Sequence, residues 1–278
     1  MNRNAFLDTK FITGAFCLGI MLFAAVAGSI FNPYQPGVQE LLDSLDPPAL
    51  TSGHLLGTDH LGRDIFARVA AGARVSLLIA TSVVLISGVA GMLVGAMSGY
   101  LGGLRDVVIQ KIVETFWAFP PILLAIAVLA FFGQSLANLI LALVLQRWIP
   151  YCRVARAEAL VLRSKDFVAA ARIMGGGTGW ILRHHILPNL WSSSIVIATF
   201  SMATAILAEA SLSFLGLGVP PEIPTWGGML AEGRSYVTEA WWIAVFPGLS
   251  IFLTVLGLNL LGDWLHDAYD PKKDLNLR

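Results

Sequence analysis

The chain has 278 residues, of which 56% are hydrophobic and only 13% are charged, and its formal net charge is zero. Soluble domains carry about 25% charged residues, so this composition excludes an ordinary soluble protein. The apolar residues come in long unbroken runs, and a run of about 18 apolar residues is enough to cross a bilayer as a helix. We therefore expect an all-α integral membrane protein. The two cysteines, Cys17 and Cys152, have neither disulfide-framework nor metal-ligand spacing.

The first predicted element is the uncharged run 11–31, which follows Arg3 and Lys10. The tripeptide at 25–27, Ala-Val-Ala, imitates a signal-peptidase site, so a cleaved signal peptide is the alternative interpretation. We favour a retained helix, because the apolar run of a signal peptide is typically about 7–15 residues long. With the proline-rich, non-apolar segment that follows, residues 1–73 are predicted to form a transmembrane helix plus an extracytoplasmic segment.

The second predicted span is Val75–Tyr100, which is rich in small residues. Gly91, Gly95 and Gly99 recur every four residues and therefore share one helix face. Small residues at this spacing allow a second helix to approach closely. We expect this face to be a helix–helix contact.

The third predicted span, Ile109–Phe132, contains the pair Pro120 and Pro121. Two prolines in mid-span predict a kink and leave backbone carbonyls that neighbouring helices or a water-lined cavity must satisfy. The fourth predicted span is shorter, Leu136–Tyr151. It ends on three residues that we expect to be interfacial anchors, namely Arg147, Trp148 and Tyr151.

The fifth and sixth predicted spans are Trp191–Leu215 and Trp241–Gly262, with an irregular loop at 216–240 between them. The sequence thus predicts six transmembrane helices. We expect residues 74–265 to form a core domain of five of them, followed by a polar tail at 266–278.

Lys and Arg residues are distributed unequally between the two predicted sides of the membrane, and this asymmetry predicts orientation. One side has four: Arg63, Arg68, Arg74 and Arg234. The other side has fourteen: Arg3, Lys10, Arg105, Lys111, Arg147, Arg153, Arg156, Arg163, Lys165, Arg172, Arg183, Lys272, Lys273 and Arg278. The positive-inside rule places the richer side, with both termini and the polar stretch at 152–190, in the cytoplasm.

Motifs for catalysis are missing from the sequence. There is no G-x-x-x-x-G-K-[ST] loop for nucleotide phosphates, no G-x-S-x-G elbow and no H-E-x-x-H helix. Adjacent residues on a helix point about 100° apart, so His184 and His185 make a poor chelating pair. His60 and Asp64 have i,i+4 spacing, but with no third ligand nearby we expect a structural contact instead of a metal site.

Two acidic residues fall within predicted spans, where a carboxylate is costly and usually functional. Glu114 lies near the cytoplasmic start of the third span and can reach water. Glu209 lies deeper, toward the outer end of the fifth span. We expect Glu209 to make a polar contact between helices, and a role in a substrate path is the alternative.

The polar stretch 164–189 lies between two apolar runs. Ser164 and Thr178 are candidate caps for two short helices, Lys165–Met174 and Thr178–Leu187, and Pro188 predicts a change of direction after the second. In the first helix an apolar stripe is predicted from residues at helical spacing, namely Phe167, Ala170, Ala171 and Met174. The residues alone leave two interpretations open, a helix that docks another protein and an amphipathic helix on the lipid surface.

This stretch resembles the EAA loop of ABC-importer permeases, which has the pattern E-A-A-x-x-x-G, nine residues, then I-x-L-P. Ala169 occupies the Glu position and His185 the Ile position. The matching residues are Ala170, Ala171, Gly175, Leu187 and Pro188. The resemblance implies that these residues, together with Ala169 at the Glu position, couple the chain to an ATPase. Ala169 is where this copy departs from the pattern, so an ion pair made by Glu in other members is missing here.

Further motifs are similar to the dipeptide/oligopeptide/nickel permease group, and specifically to its C-type subunit. They are the segments 57–64 (GTDHLGRD), 72–77 (GARVSL), 208–218 (AEASLSFLGLG) and 259–263 (NLLGD). The first of these segments supplies a candidate extracytoplasmic motif, Asp59, Gly62, Arg63 and Asp64. This likeness extends over nearly the whole chain.

The resemblance implies a type I ABC importer permease fold in a bacterial inner membrane. It implies four kinds of partner: a second related permease, two ATPase subunits, an extracytoplasmic solute-binding protein and membrane lipid. ATP and Mg would be held by the ATPases and no cofactor by this chain. No nucleic acid partner, resident metal or catalytic residue is expected.

Di- or oligopeptides are the expected cargo, with nickel or glutathione as alternatives within the same group. An ion-coupled secondary transporter would require coupling residues at mid-membrane and inverted repeats, and only Glu209 approaches that description. A membrane-embedded enzyme would require convergent catalytic groups, which the sequence does not offer.

Overall fold

The structure is a computed structural model that describes residues 8–31, 34–49 and 53–269. Over these residues the chain is helical, and the only β-type pairing is an isolated bridge between Thr58 and Asp64. The helices are α1 (Thr9–Phe31), α2 (Ile65–Leu101), α3 (Gly103–Ala118), α4 (Pro121–Phe132), α5 (Leu136–Leu162), α6 (Asp166–Ile173), α7 (Thr178–Ile181), α8 (Trp191–Phe214), α9 (Trp226–Gly233) and α10 (Trp242–Tyr269).

The long helices run in alternating directions, so the bundle has two distinct ends. At one end α6 packs under the end of α2, where Arg172 Nη2 donates to Tyr100 Oη over 3.3 Å. At the other end Trp226 of α9 donates its indole N–H to the Val69 carbonyl over 3.0 Å. We call these the α6 end and the α9 end. The beginning of α1 and the last turns of α10 lie together at the α6 end, joined by Lys10 Nζ and Asp267 at 2.9 Å.

Four helical stretches in the described chain are long and apolar enough to cross a membrane: Thr9–Val26, Ile65–Leu101, Thr178–Phe214 and Trp242–Tyr269. The pair α3 and α4 makes a fifth if it is counted as one bent span. Helix α5, at 27 residues, is long enough, but its polar residues from Gln146 onward lower its hydropathy. Length and composition thus support four or five spans and not the predicted six.

The small-residue face of α2 is a helix contact, as predicted. A methyl group placed on Gly91, Gly95 or Gly99 would lie within 3.0 Å of a backbone carbonyl oxygen of α5. Those carbonyls belong to Trp148, Cys152 and Arg156 respectively, which repeat every four residues in the same direction. Helices α2 and α5 are therefore parallel and their backbones touch along this seam.

The proline pair breaks the third predicted span outright. Helix α3 ends at Ala118, α4 begins at Pro121, and the two are bent by 86°. The freed carbonyl of Phe119 accepts a hydrogen bond of 2.8 Å from Gln146 Nε2 on α5. The prediction that a neighbouring helix satisfies the freed groups is confirmed.

The predicted end of the fourth span at Tyr151 is wrong. Helix α5 continues to Leu162 through Pro150, because the seam with α2 holds it past the proline. Tyr151 is buried at this seam and Arg147 lies near the middle of α5, so neither marks an interface. Helix α2 likewise begins ten residues before the predicted Val75, since the Asp64 side chain caps it by accepting from the Ala67 N–H at 2.7 Å. Cys17 and Cys152 are both buried and free.

Candidate functional site

Helix α6 is shorter than predicted and is capped differently. Lys165, not Ser164, is its N-cap residue, and the Ser164 hydroxyl donates to the Val161 carbonyl at 2.8 Å. Asp166 occupies the first turn and Arg172 the last, where their charges complement the helix dipole.

The predicted apolar stripe of α6 is divided in the structure. The buried residues are Val168 and Ala171, three residues apart. They pack with Ala96, Ala159 and Ile181, and so attach α6 to α2, α5 and α7. Ala171 is thus the one member of the stripe that contacts the bundle, and the other three are exposed, namely Phe167, Ala170 and Met174.

The outer side of α6 carries large apolar residues that touch little of this chain. Ile173 is 87% exposed and Met174 is 80% exposed. Ala169, Ala170 and Gly175 are exposed on the same segment. A depression of about 370 Å³ follows them, lined by Ala171, Met174, Gly175, Gly176, Gly177 and Trp180. An apolar surface of this kind is typical of an interaction site.

Gly175 ends this surface in a left-handed conformation with φ of +88°. That conformation costs an L-residue about 1–2 kcal/mol but is free for glycine. It reverses the chain, and the Gly176 N–H donates to the Ala171 carbonyl at 2.9 Å. Gly175 therefore terminates α6.

The chain does not turn at Pro188 as predicted. Residues Thr178–Phe214 form one helical run of 37 residues, in which Leu182–Ile186 is a π-turn and Leu187–Leu190 a 3₁₀-turn. The wider π-turn accommodates a proline that lacks an N–H donor. Asn189 Nδ2 donates to the His185 carbonyl at 2.6 Å. Leu187 is half-buried and packs against the cluster of buried residues that contains Val168 and Ala171. Pro188 is exposed. Gly177, and not Thr178, is the N-cap of α7.

At the α9 end, the predicted motif residues Asp59 and Arg63 come together with Arg68 and Glu232. Arg63 Nε lies 2.6 Å from Asp59 Oδ2, and Arg63 Nη2 lies 2.8 Å from Glu232 Oε2. Arg68, itself buried, pairs with both carboxylates. Burial alone would raise the pKa of the Asp59 carboxyl, but Arg68, the Arg63 N–H and the Arg63 guanidinium together hold that pKa below its ordinary value. Glu232 lies far away in sequence and was not predicted.

The remaining motif residues shape the loop that holds this ion-pair network. Gly62 has φ of +72°, and a side chain there would collide with the Glu40 carbonyl. Asp64 caps α2 and also contacts His54 Nδ1 at 3.0 Å. The structural contact predicted between His60 and Asp64 is made by His54 instead, and His60 stacks on Tyr236 at 5.1 Å.

Two groups of acidic and histidine side chains lie at this end with ligand atoms within 4.8 Å of one another: Asp59, His60 and Glu232, and Glu40, Asp43 and His54. In the first group both carboxylates are already paired with arginines. In the second, His54 is held on Asp64. Neither arrangement points to a metal ion.

Glu209 is 1% exposed and lies between α8 and α9. Its Oε1 accepts hydrogen bonds from Ser213 Oγ at 2.8 Å and from Thr225 Oγ1 at 2.9 Å. Thr225 in turn caps α9 by accepting from the Gly228 N–H at 3.0 Å. This geometry is the polar contact between helices that the sequence analysis favoured.

A groove of about 370 Å³ runs between α4, α5 and α8. Its lining is largely apolar, and its polar residues are Gln146 and Arg147 of α5 and Thr204 and Ser211 of α8. Glu209 is not among the lining residues. The sequence carries a signal for this site, because Arg147 interrupts an otherwise apolar run. The prediction of Arg147 as an interfacial anchor missed this position.

Comparison with known proteins supports one family. Residues 91–275 match the family described as "Binding-protein-dependent transport system inner membrane component". The di/tripeptide transport system permease protein of Pseudomonas aeruginosa is 41% identical, over 91% of this chain and 85% of that protein. The probable D,D-dipeptide transport system permease protein of Escherichia coli is 39% identical, over 94% and 87%. The glutathione transport system permease protein of Pectobacterium atrosepticum is 45% identical, over 80% and 74%.

Among solved structures, the chain is similar to the MetNI methionine ABC transporter in an inward-facing conformation. The TM-score is 0.58 with 18% sequence identity, over 72% of this chain and 95% of that one. At this identity the likeness concerns the fold, which is that of a type I ABC importer permease. With the family match and the relatives above, it follows that the chain belongs to the binding-protein-dependent transport system inner membrane components and is a permease subunit of an ABC importer.

Proposed function

We propose that this chain is one of two permease subunits of an ATP-driven importer for di- or oligopeptides. Relatives named as peptide or dipeptide permeases are 39–42% identical over nearly the whole chain, and this supports the cargo class. The glutathione permease among the relatives fits the same class, because glutathione is itself a small peptide.

Its partners would be a second permease, two ATPase subunits, an extracytoplasmic solute-binding protein and the surrounding lipid. The sequence has no loop for nucleotide phosphates, so ATP and Mg would be bound and ATP hydrolysed by the ATPases, with no catalysis in this chain. The excess of Lys and Arg at the α6 end supports a cytoplasmic location for that end and for both termini.

The α6 surface would be the docking site for one ATPase subunit. The observation that carries this proposal is the division of α6 into two sides. Val168 and Ala171 fix it to α2, α5 and α7, while Ile173 and Met174 face outward at 87% and 80% exposure. A helix that is attached to the bundle on one side and apolar on the other is suited to transmit a movement of the ATPase subunit to the bundle. A lipid-surface helix would instead need no tight attachment to the other helices.

The docking proposal is tested by Met174→Glu. Within this chain the side chain packs on little, so the folded permease should insert at the wild-type level. A carboxylate at the centre of an apolar contact is poorly solvated, and we expect co-purification of the ATPase subunits with the tagged permease to fall about tenfold or more. The measurement is the ratio of ATPase to permease in the purified complex.

Leu42→Glu provides the matched control, because Leu42 is fully exposed at the α9 end. It adds the same charge at another strongly exposed apolar residue and should leave the ratio of ATPase to permease unchanged. Undiminished ATPase recovery with Met174→Glu would refute docking at this surface.

A further inference from the structure

Arg147 is a cation in an unusual place, near the middle of α5 and facing α8. Its Nη1 donates to Thr204 Oγ1 at 2.6 Å and its Nη2 to the Thr204 carbonyl at 3.0 Å. Both partners are neutral. Within the described residues, Arg147 has no Asp or Glu at ion-pair distance, whereas Arg63 and Arg68 each have two and Arg156 has one.

A guanidinium at this depth in a membrane bundle is costly unless it is paired or hydrated. Contacts within the described chain use two of its five N–H donors. The remaining donors are therefore available to a group that this chain does not supply. Charged residues within membrane bundles commonly mark the paths of substrates or ions.

The surroundings of Arg147 have room for such a group. The groove between α4, α5 and α8 has a volume of about 370 Å³. A second groove, of about 470 Å³, follows the break between α3 and α4 toward Trp117 and Pro150. Pro121, Gln146 and Arg147 line both grooves. Arg147 thus lies where the two grooves meet.

Neighbouring contacts fix this junction in place. Gln146 Nε2 is engaged with the Phe119 carbonyl at the helix break, at 2.8 Å, so Gln146 is committed to the scaffold. Thr204 orients the guanidinium from the opposite helix. Arg147 is then the charged group that the junction presents to an occupant.

We propose that Arg147 binds the C-terminal carboxylate of the peptide cargo as it passes between α4, α5 and α8. A guanidinium forms two parallel hydrogen bonds with a carboxylate, a charge-assisted pair about twice as strong as neutral hydrogen bonds. The apolar lining of the groove, from Ile122 to Leu212, accommodates the side chains. This inference rests on the proposed function, because it takes the cargo to be a peptide. An acidic residue of the second permease is the competing partner, and the test separates the two.

The test uses the whole complex in lipid nanodiscs, without the solute-binding protein, so that its selectivity does not intervene. Binding of radiolabelled trialanine and of trialanine amide is measured by scintillation proximity. For Arg147→Gln we expect trialanine to bind about tenfold or more weakly, with the amide unaffected. Arg147→Lys should recover most of the difference, because it restores the charge.

Lys111→Gln is the matched control, since Lys111 is an exposed cation paired with Glu114 on α3 and should change neither affinity. Equal weakening of acid and amide by Arg147→Gln would overturn the carboxylate assignment, as would unchanged binding of both. Loss of the second permease from the purified Arg147→Gln complex would assign the partner to that subunit instead. Failure of the wild-type complex to bind either peptide, or to transport any peptide with its binding protein, would overturn the proposed cargo class as well.

Discussion

Glu209 is a buried carboxylate whose contacts are with structural residues. Its Oε1 accepts hydrogen bonds from the hydroxyl groups of Ser213 and Thr225. Its Oε2 lies beside Gly227 and has no hydrogen-bond partner among the described residues. Through Thr225 it helps to fix the beginning of α9 against α8. The groove that contains Arg147 is lined by Ala208 and Ser211 of the same helix, so Glu209 faces away from it.

A structural role predicts that Glu209→Gln transports normally, within about twofold of the wild type. The amide retains the Oε1 acceptor and removes the need to bury a charge. Glu209→Ala leaves two buried hydroxyls without an acceptor, which we expect to cost about 1–3 kcal/mol. The measurements are peptide uptake in vesicles and the apparent melting temperature of the purified protein.

Ser211→Ala, on the groove side of the same helix, is the comparison for these variants. A Glu209→Gln protein that melts normally and yet transports nothing would place Glu209 in the cargo path after all.

For individual residues, the sequence identified candidate site residues more reliably than it identified the residues they contact. Asp59, Arg63 and Asp64 were identified from a motif. Glu232, which completes the ion pairs of Arg63, lies on α9, within the segment 216–240 that was wrongly predicted to be an irregular loop throughout. Arg147 was visible as a charge in an apolar run. Its depth was misjudged because the length of α5 depends on packing against α2, which no local signal encodes.

Helices α2 and α5 show how a glycine spacing becomes a structural seam. Because Gly91, Gly95 and Gly99 carry no side chain, the carbonyls of α5 approach the α2 backbone directly. The seam also passes through Tyr151, which packs beside Gly88. Close backbone contact of this kind is sensitive to the addition of a single methyl group.

Gly95→Ala should therefore destabilise the bundle, since its methyl group would overlap the Cys152 carbonyl. We expect a loss of about 1–3 kcal/mol, typical of overpacking, measured as a lower melting temperature in detergent.

Gly19→Ala is the matched substitution, because Gly19 is also within a long helix but has no atom within 4 Å of the added carbon. It should be neutral or slightly stabilising, since alanine is the better helix former. Similar melting temperatures for the two variants would show that the seam tolerates bulk.

Element boundaries were predicted correctly where they follow from the local sequence, and wrongly where they depend on tertiary contacts. The glycine seam and the break at Pro120-Pro121 were predicted, because each follows from the stereochemistry of the residues themselves. The predicted turn at Pro188 was wrong, since a π-turn and the Asn189 side chain accommodate the proline within a continuous helix. The residue of α6 that the pattern missed is Val168, which packs on α2 and α5 beside Ala171 although it lies outside the predicted stripe.

The whole molecule has a polarity that follows from its charge distribution. Among the described residues, most Lys and Arg side chains lie toward the α6 end, and the α9 end holds the ion-pair network around Asp59. Positive charge retained on one side of a membrane predicts that this side is cytoplasmic.

Single cysteines test this orientation. Leu42→Cys at the α9 end should react with a membrane-impermeant maleimide only in right-side-out vesicles. Leu104→Cys, in the first turn of α3, should react only in inside-out vesicles, and both side chains are well exposed. The wild type is the blank, because Cys17 and Cys152 are buried. The reverse labelling pattern would invert the proposed orientation.

The run from Thr178 to Phe214 has a consequence for how the two proposed sites communicate. It begins beside the α6 surface and contains Thr204, the residue that holds Arg147. The π-turn and the 3₁₀-turn carry the helical run past Pro188 without ending it, so docking surface and Thr204 belong to one continuous element. A tilt imposed at the docking surface would therefore be passed along this run to Thr204 and would shift its hydroxyl against the guanidinium. Binding of the cargo by Arg147 and the movement driven by the ATPase subunits would then be coupled through this one helical run.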